Sequence, residues 1–174
     1  MSEENSKPRP GYSALRRFRS SLSESDYFLT INAARPASRL AAEPLLTAIR
    51  HEVQRCDGAG FWRARSYVVM PDHLHLLVTL GADYPLSEVV RRLKGRLAPN
   101  LRKLDTSWQA GFYDHRLRQE EDVLPVFLYI FLNPHRAGLL PANERWPGYY
   151  CDEEDWRWFK DWTRDSAPYP EWLR

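Results

Sequence analysis

The stretch Tyr67-Val68-Val69-Met70-Pro71-Asp72-His73-Leu74-His75-Leu76-Leu77-Val78-Thr79-Leu80 sets the reading of the whole chain. Residues 66–70 and 73–80 are rich in β-branched, aromatic and aliphatic side chains, so both read as strands. Pro71-Asp72 is too short for a crossover, and the two strands must form an antiparallel hairpin. Successive strand side chains point to opposite faces. Leu74, Leu76, Val78 and Leu80 therefore line one face, the core side. His73 and His75 share the other face. Two neutral imidazoles side by side on a sheet form half of a site for a divalent metal.

Outward from this hairpin the chain alternates strands and helices. Residues 27–33 (YFLTINA) read as a first strand, broken by Pro36. From Pro44, suited to a first helical turn, Leu45, Leu46, Ile49 and Val53 share a helical face. Residues 57–60 (DGAG) end that helix in a turn. Beyond the hairpin, Leu86, Val89, Val90, Leu93 and Leu97 mark a second amphipathic helix with Ser87 as its cap. Pro99 is expected to stop or kink it. Residues 105–121 hold a short aromatic stretch, either a strand or an irregular loop. Residues 122–133 run apolar from an Asp122 cap, through Pro125 in the first turn, to Asn133-Pro134. They read as a buried helix of about three turns, with a buried strand as the competing reading. The order predicts an α+β fold: a ferredoxin-like sandwich, an antiparallel sheet with helices on one face. The expected organisation is a basic arm over 1–24, one domain over 25–150 and an aromatic-rich tail over 151–174.

At 174 residues, 43% hydrophobic and 28% charged, the chain suits one soluble domain. No apolar run approaches the ~18 residues of a membrane span. The polar N-terminus lacks a signal-peptide apolar core, so a cytoplasmic location is expected. Cys56 and Cys151 show no CxxC spacing and read as free thiols. A net charge of +2 is too small to imply nucleic acid; its distribution says more. Arg16 and Arg17 lie in the arm. Arg91, Arg92, Lys94 and Arg96 share the polar face of the second helix. Arg116, Arg118 and Arg136 flank the apolar segment. All are candidate phosphate contacts, against the ordinary reading of a solvated or ion-paired surface. The C-terminal tryptophans could stack on bases, but rings of this kind more often cover a core edge.

Within the apolar segment, Tyr129 and Asn133 are one turn apart and share a helix face. A phenol is a poor nucleophile at its free pKa of about 10. It becomes useful beside a metal that also polarises a phosphodiester. Two imidazoles and an amide oxygen would hold Mg²⁺ or Mn²⁺ and leave positions for substrate. His73, His75 and Asn133 are thus the candidate metal ligands and Tyr129 the candidate nucleophile. Tyr113, next to Asp114-His115, is the rival nucleophile. Asp72 and His115 either orient the imidazoles or are an ordinary turn residue and a surface side chain.

These residues carry a family resemblance. Val69-Met70-Pro71-Asp72-His73-Leu74-His75 comes first, then Trp108-Gln109 with Gly111-Phe112-Tyr113-Asp114-His115 and Arg118. Tyr129-Ile130 with Asn133-Pro134 and Arg136-Ala137-Gly138-Leu139 follow. In that order, and with Tyr27-Phe28-Leu29-Thr30-Ile31-Asn32 at the front, they resemble the single-tyrosine, IS200-like HUH transposases. The branch they are most similar to is the REP-associated tyrosine transposases. The resemblance spans roughly residues 27–150. It implies an HUH nuclease fold acting on single-stranded DNA beside a hairpin of a palindromic repeat. It implies a metal-dependent endonuclease and strand transferase, with His73 and His75 as metal ligands and Tyr129 forming a 5′-phosphotyrosine link. Asn133 falls where a third polar ligand is placed. The alternative is a non-cleaving hairpin DNA- or RNA-binding module on the same fold. Monomer and homodimer both remain open. Two positions depart from the pattern: His135 replaces an aliphatic residue after Asn-Pro, and Trp146-Pro147-Gly148-Tyr149 matches only loosely a Trp-Pro-x-Ser-Ser turn.

Overall fold

A computed structural model of the protein describes residues 21–35, 39–118, 122–141 and 144–163. Five strands and four helices follow in chain order: β1 (Asp26–Asn32), α1 (Leu45–Gly58), β2 (Trp62–Val69), β3 (His73–Leu80), α2 (Leu86–Arg102), β4 (Tyr113–Arg116), α3 (Leu124–Arg136), β5 (Tyr149–Cys151) and α4 (Glu153–Phe159). The strands form one sheet in the order β4-β1-β3-β2-β5, antiparallel at every pairing. The first four follow the ferredoxin-like order, and the expected α+β class is borne out. β5 extends that sheet beyond β2.

Helices cover both faces of the sheet rather than one, which corrects the one-sided layering expected from the sequence. Leu74, Leu76, Val78 and Leu80 of β3 pack with Leu29 and Ile31 of β1 beneath α1 and α2. On the opposite face, Leu77 of β3 and Val68 of β2 pack beneath Phe127, Leu128 and Ile130 of α3 and Phe159 of α4. Burying apolar area on both faces is what lets a sheet of this size hold two core layers. The histidine face is therefore covered by α3 over β2 and β3, and left open towards β1 and β4.

Several boundaries differ from the sequence reading for identifiable reasons. β2 begins at Trp62, four residues early, because a register shift between Ala64 and Ser66 breaks its alternation. α2 runs through Pro99 to Arg102 without a side-chain cap from Ser87. Its first amide, on Leu86, donates instead to Ser21 Oγ at 3.1 Å. α3 starts at Leu124, whose amide donates to the Asp122 carboxylate at 2.9 Å. It continues past Asn133-Pro134 to Arg136. Both prolines sit in a last turn, where little helix remains to be broken.

The segment read as a tail contributes, as far as Thr163, the last residue of the edge strand β5 and the helix α4. Asp152 caps α4 by accepting from the amides of Glu154 and Asp155. Arg65 of β2 then grips Asp155 through two hydrogen bonds of 2.6 and 3.0 Å. Arg65 is also held by Asp26 of β1, and its guanidinium lies over the Phe127 ring. Trp158 and Phe159 contact that same ring, so most of this aromatic cluster covers a core edge. Cys56 and Cys151 are free thiols. Among the described residues no helix is long and apolar enough to cross a membrane.

Candidate active site

The antiparallel register decides which side chains share the open face. Thr30 of β1 pairs with His75, Asn32 with His73, and Phe28 with Leu77. On the other side of β1, Thr30 pairs with Tyr113 and Phe28 with His115. Directly paired residues point to the same face. His73, His75, Phe28, Thr30, Tyr113 and His115 therefore all face the side on which α3 lies.

The two imidazoles sit edge to face with ring centroids 4.5 Å apart. Each is held at Nδ1 by an oxygen. Thr30 Oγ1 lies 2.9 Å from His75 Nδ1, and Asp72 Oδ1 lies 2.7 Å from His73 Nδ1. Oxygen partners of this kind fix the ring orientation of metal-binding histidines. His75 is buried, and burial, reinforced by neighbouring His73, pushes its pKa down to about 3. It is neutral at physiological pH, the form that ligates a metal. The donor set fits a divalent cation in part. Among the described residues no group of three or more His, Cys, Asp or Glu side chains is placed to hold a metal ion. Further ligands would have to be an amide, a hydroxyl, water or substrate oxygen.

Tyr129 reaches the pair from α3. Phe127, Ile130 and Pro134 turn into the core, which leaves Tyr129 on the flank of the helix nearest β1. Its ring lies 5.2 Å from that of His75 and 5.6 Å from that of Phe28. Phe28 in turn stacks on His75 at 5.3 Å. The Arg136 guanidinium lies over the Tyr129 ring at 5.6 Å. Asn133 sits one turn along the same helix, half-buried. Tyr113 is 52% exposed and meets Phe28 at 6.5 Å, so Phe28 and not His75 is its aromatic neighbour. Sequence reasoning missed Phe28 and Thr30. Their signal was the alternation of the first strand, which puts both on one face, although their partner strand could not be read.

The basic candidates separate in space. Arg136 is at the site. Arg91, Arg92, Lys94 and Arg96 lie on α2, on the far face of the sheet from the histidines. Arg91 and Arg92 are tied to Glu88, whose carboxyl they pull down to about 2. Arg92 also lies over the Tyr84 ring at 4.3 Å. Lys94 donates to the carbonyls of Gln109 and Gly111 and so braces the loop before β4. Arg96 approaches Glu52 at 3.8 Å. Arg116 and Arg118 are exposed at the β4 edge. Arg16 and Arg17 lie outside the described residues.

Comparison with known proteins finds likeness in sequence and in fold. The family model for IS200-like transposases matches residues 42–120, a span that includes both histidines and ends before Tyr129. A REP-associated tyrosine transposase of Escherichia coli (strain K12) is 26% identical over 122 residues, 70% of this chain and 73% of that protein. A solved structure of the REP-associated tyrosine transposase bound to a REP hairpin superposes with a TM-score of 0.65 at 25% identity. The match covers 75% of this chain and 79% of that one. By family model, curated relative and fold alike, the chain is similar to the IS200-like transposases and, among them, to the REP-associated tyrosine transposases.

Proposed function

We propose that this HUH-type transposase is a metal-dependent single-stranded DNA endonuclease and strand transferase acting beside a hairpin of a palindromic repeat. The observation that carries the reading is the Tyr129 ring packed against His75, itself paired with His73. His73 and His75 would hold Mg²⁺ or Mn²⁺, with Asn133 as the added oxygen donor. The bound cation would draw charge from a non-bridging phosphate oxygen.

The chain's own residues do the rest. Thr30 and Asp72 keep the imidazoles oriented. α3 presents Tyr129 from a rigid element, which holds a reacting atom more closely than a loop does. Arg136 puts a positive charge beside the phenol, where a phosphate would approach. In the step itself the Tyr129 Oη–P bond forms and the P–O3′ bond breaks. The phenol proton passes to solvent, and the departing 3′ oxygen takes up a proton to become a free 3′-OH. The product is a 5′-phosphotyrosine. One phosphodiester replaces another, so a later attack by a 3′-OH reverses the step without an energy source. Such a protein would work in the cytoplasm, on the nucleoid.

The test is incubation of the full chain with labelled DNA carrying a host palindrome and unpaired flanks, with Mg²⁺ or Mn²⁺. A denaturation-resistant adduct is expected from the wild type and absent from Tyr129→Phe and from EDTA. Hairpin binding with no adduct on any flank would move the assignment to a non-cleaving binding module.

A further inference from the structure

Beside Tyr129 the open part of the sheet face is hollowed into a cleft of about 480 Å³ lined by Phe28, Pro125, Val126 and Tyr129. Among the described residues its walls are apolar apart from the phenol hydroxyl, an unusual lining next to a centre meant for a phosphodiester. A phosphate is gripped by cations and N–H donors, and the described lining residues, Phe28, Pro125, Val126 and Tyr129, offer neither to the cleft. What a single strand can offer to such walls is the flat face of an unstacked base. The rings are arranged for it. Phe28 is pinned from below by stacking on His75, with the two planes inclined by 28°. Tyr129 stands at 89° to Phe28 within the cleft lining, and Tyr113, 52% exposed and outside that lining, stands at 66° to Phe28. Phe28 is thus a half-buried ring in the cleft lining with the Tyr129 ring upright beside it.

We propose that this cleft is a base-stacking subsite that receives one unpaired nucleobase of the DNA strand next to the phosphate attacked by Tyr129. The inference rests on the nuclease reading for its geometry and adds a positioning role for Phe28. The base would seat on Phe28 and index the strand along the sheet, while Arg136 meets the backbone over the phenol. Stacking makes no hydrogen bonds to base edges, so the subsite would fix register more than sequence.

The experiment uses the full chain in EDTA, where no cutting occurs. Oligonucleotides with a hairpin and unpaired flanks carry 2-aminopurine at each unpaired position in turn. A change of emission on binding confined to one position is expected, lost in Phe28→Leu and restored in Phe28→Tyr. An abasic site at that position should weaken wild-type binding roughly five- to 150-fold, the equivalent of about 1–3 kcal/mol. The same abasic site should have little further effect in Phe28→Leu. A response spread evenly over all positions, or one that survives Phe28→Leu, overturns the subsite. So does a response that appears only after residues 164–174 are deleted, because the occupant is then the chain's own end. Failure of the two readings is distinguishable. An adduct with a flat scan removes the subsite and keeps the nuclease, and a localised scan with no adduct does the reverse.

Discussion

At the residue scale, His75 is where the site's chemistry meets the fold's stability. Its pKa of about 3 in the folded chain compares with about 6.5 when exposed. Between those values the unfolded chain takes up a proton that the folded chain refuses. Folding stability is therefore undiminished above about pH 6.5 and falls as the pH drops from there towards 3. At about 1.4 kcal/mol per unit the full loss is bounded at roughly 4–5 kcal/mol. Urea midpoints measured at pH 7, 6 and 5 should drop, and drop less in His75→Asn; parallel slopes for the two proteins would refute the assignment. Thr30 offers a second handle. Thr30→Val keeps the shape but removes the oxygen at His75 Nδ1, which lies 2.9 Å away. Loss of such a partner weakens metal binding roughly 10–100-fold. Calorimetry with Mn²⁺ should show that loss, and equal affinities would mean Thr30 does not orient the ring.

At the scale of elements, α4 holds α3, and α3 holds Tyr129. The link runs from Asp155 through Arg65, both nearly buried, to the Phe127 ring on α3, with Phe159 packed beside it. Asp155→Ala leaves Arg65 with Asp26 alone, and breaking a buried pair costs about 3–5 kcal/mol. The remaining partner puts the expected loss near the lower end, ~3 kcal/mol, read from denaturant unfolding. A loss under ~0.5 kcal/mol would show that the clamp adds nothing to the fold. None of this was legible in the sequence, because Asp152 to Trp158 shows a charge run and scattered rings but no partner. The β2–β3 hairpin and the inward face of α2 were legible, since alternation and the Leu86, Val89, Val90, Leu93, Leu97 spacing are local signals. The start of β2 was not. Trp62 and Ala64 face the same core as Tyr67 and Val69, and only an extra residue at the bulge reconciles them. β5 is three residues long, too short for any period to register. The histidine pair could be read because both imidazoles lie on one strand. Phe28 and Thr30 could not be attached to it, because strand pairing is non-local.

At the scale of the whole molecule, the sheet separates two surfaces that the sequence alone could not tell apart. An all-apolar helix such as α3 announces burial but not the face it covers. Placing it on the histidine face leaves the basic side of α2 behind the sheet. Arg91, Arg92, Lys94 and Arg96 therefore cannot bear on a strand lying at Tyr129 unless the nucleic acid passes round an edge of the sheet. β4 is such an edge, and Arg116 and Arg118 stand there, exposed. If the hairpin lies along α2 while the unpaired flank crosses β4 to the cleft, holding and cutting should separate by mutation. Arg91→Ala combined with Arg96→Ala removes charge on the far face without touching the histidines or α3. This pair should weaken binding of the hairpin and lower the steepness of its salt dependence, by roughly 0.9 for each duplex phosphate no longer neutralised. Adduct formation at saturating DNA should stay within about twofold, because no group near the reacting atoms changes. Arg136→Ala should do the opposite. It should slow the adduct at saturating DNA while leaving affinity for the isolated hairpin nearly unaltered, since Arg136 lies over Tyr129 and away from α2. Filter binding across a salt series, run beside adduct kinetics on the same oligonucleotides, measures both. Equal losses of affinity and rate in the two variants would mean that hairpin and flank share one face, and the far side of α2 would then be only a solvated surface.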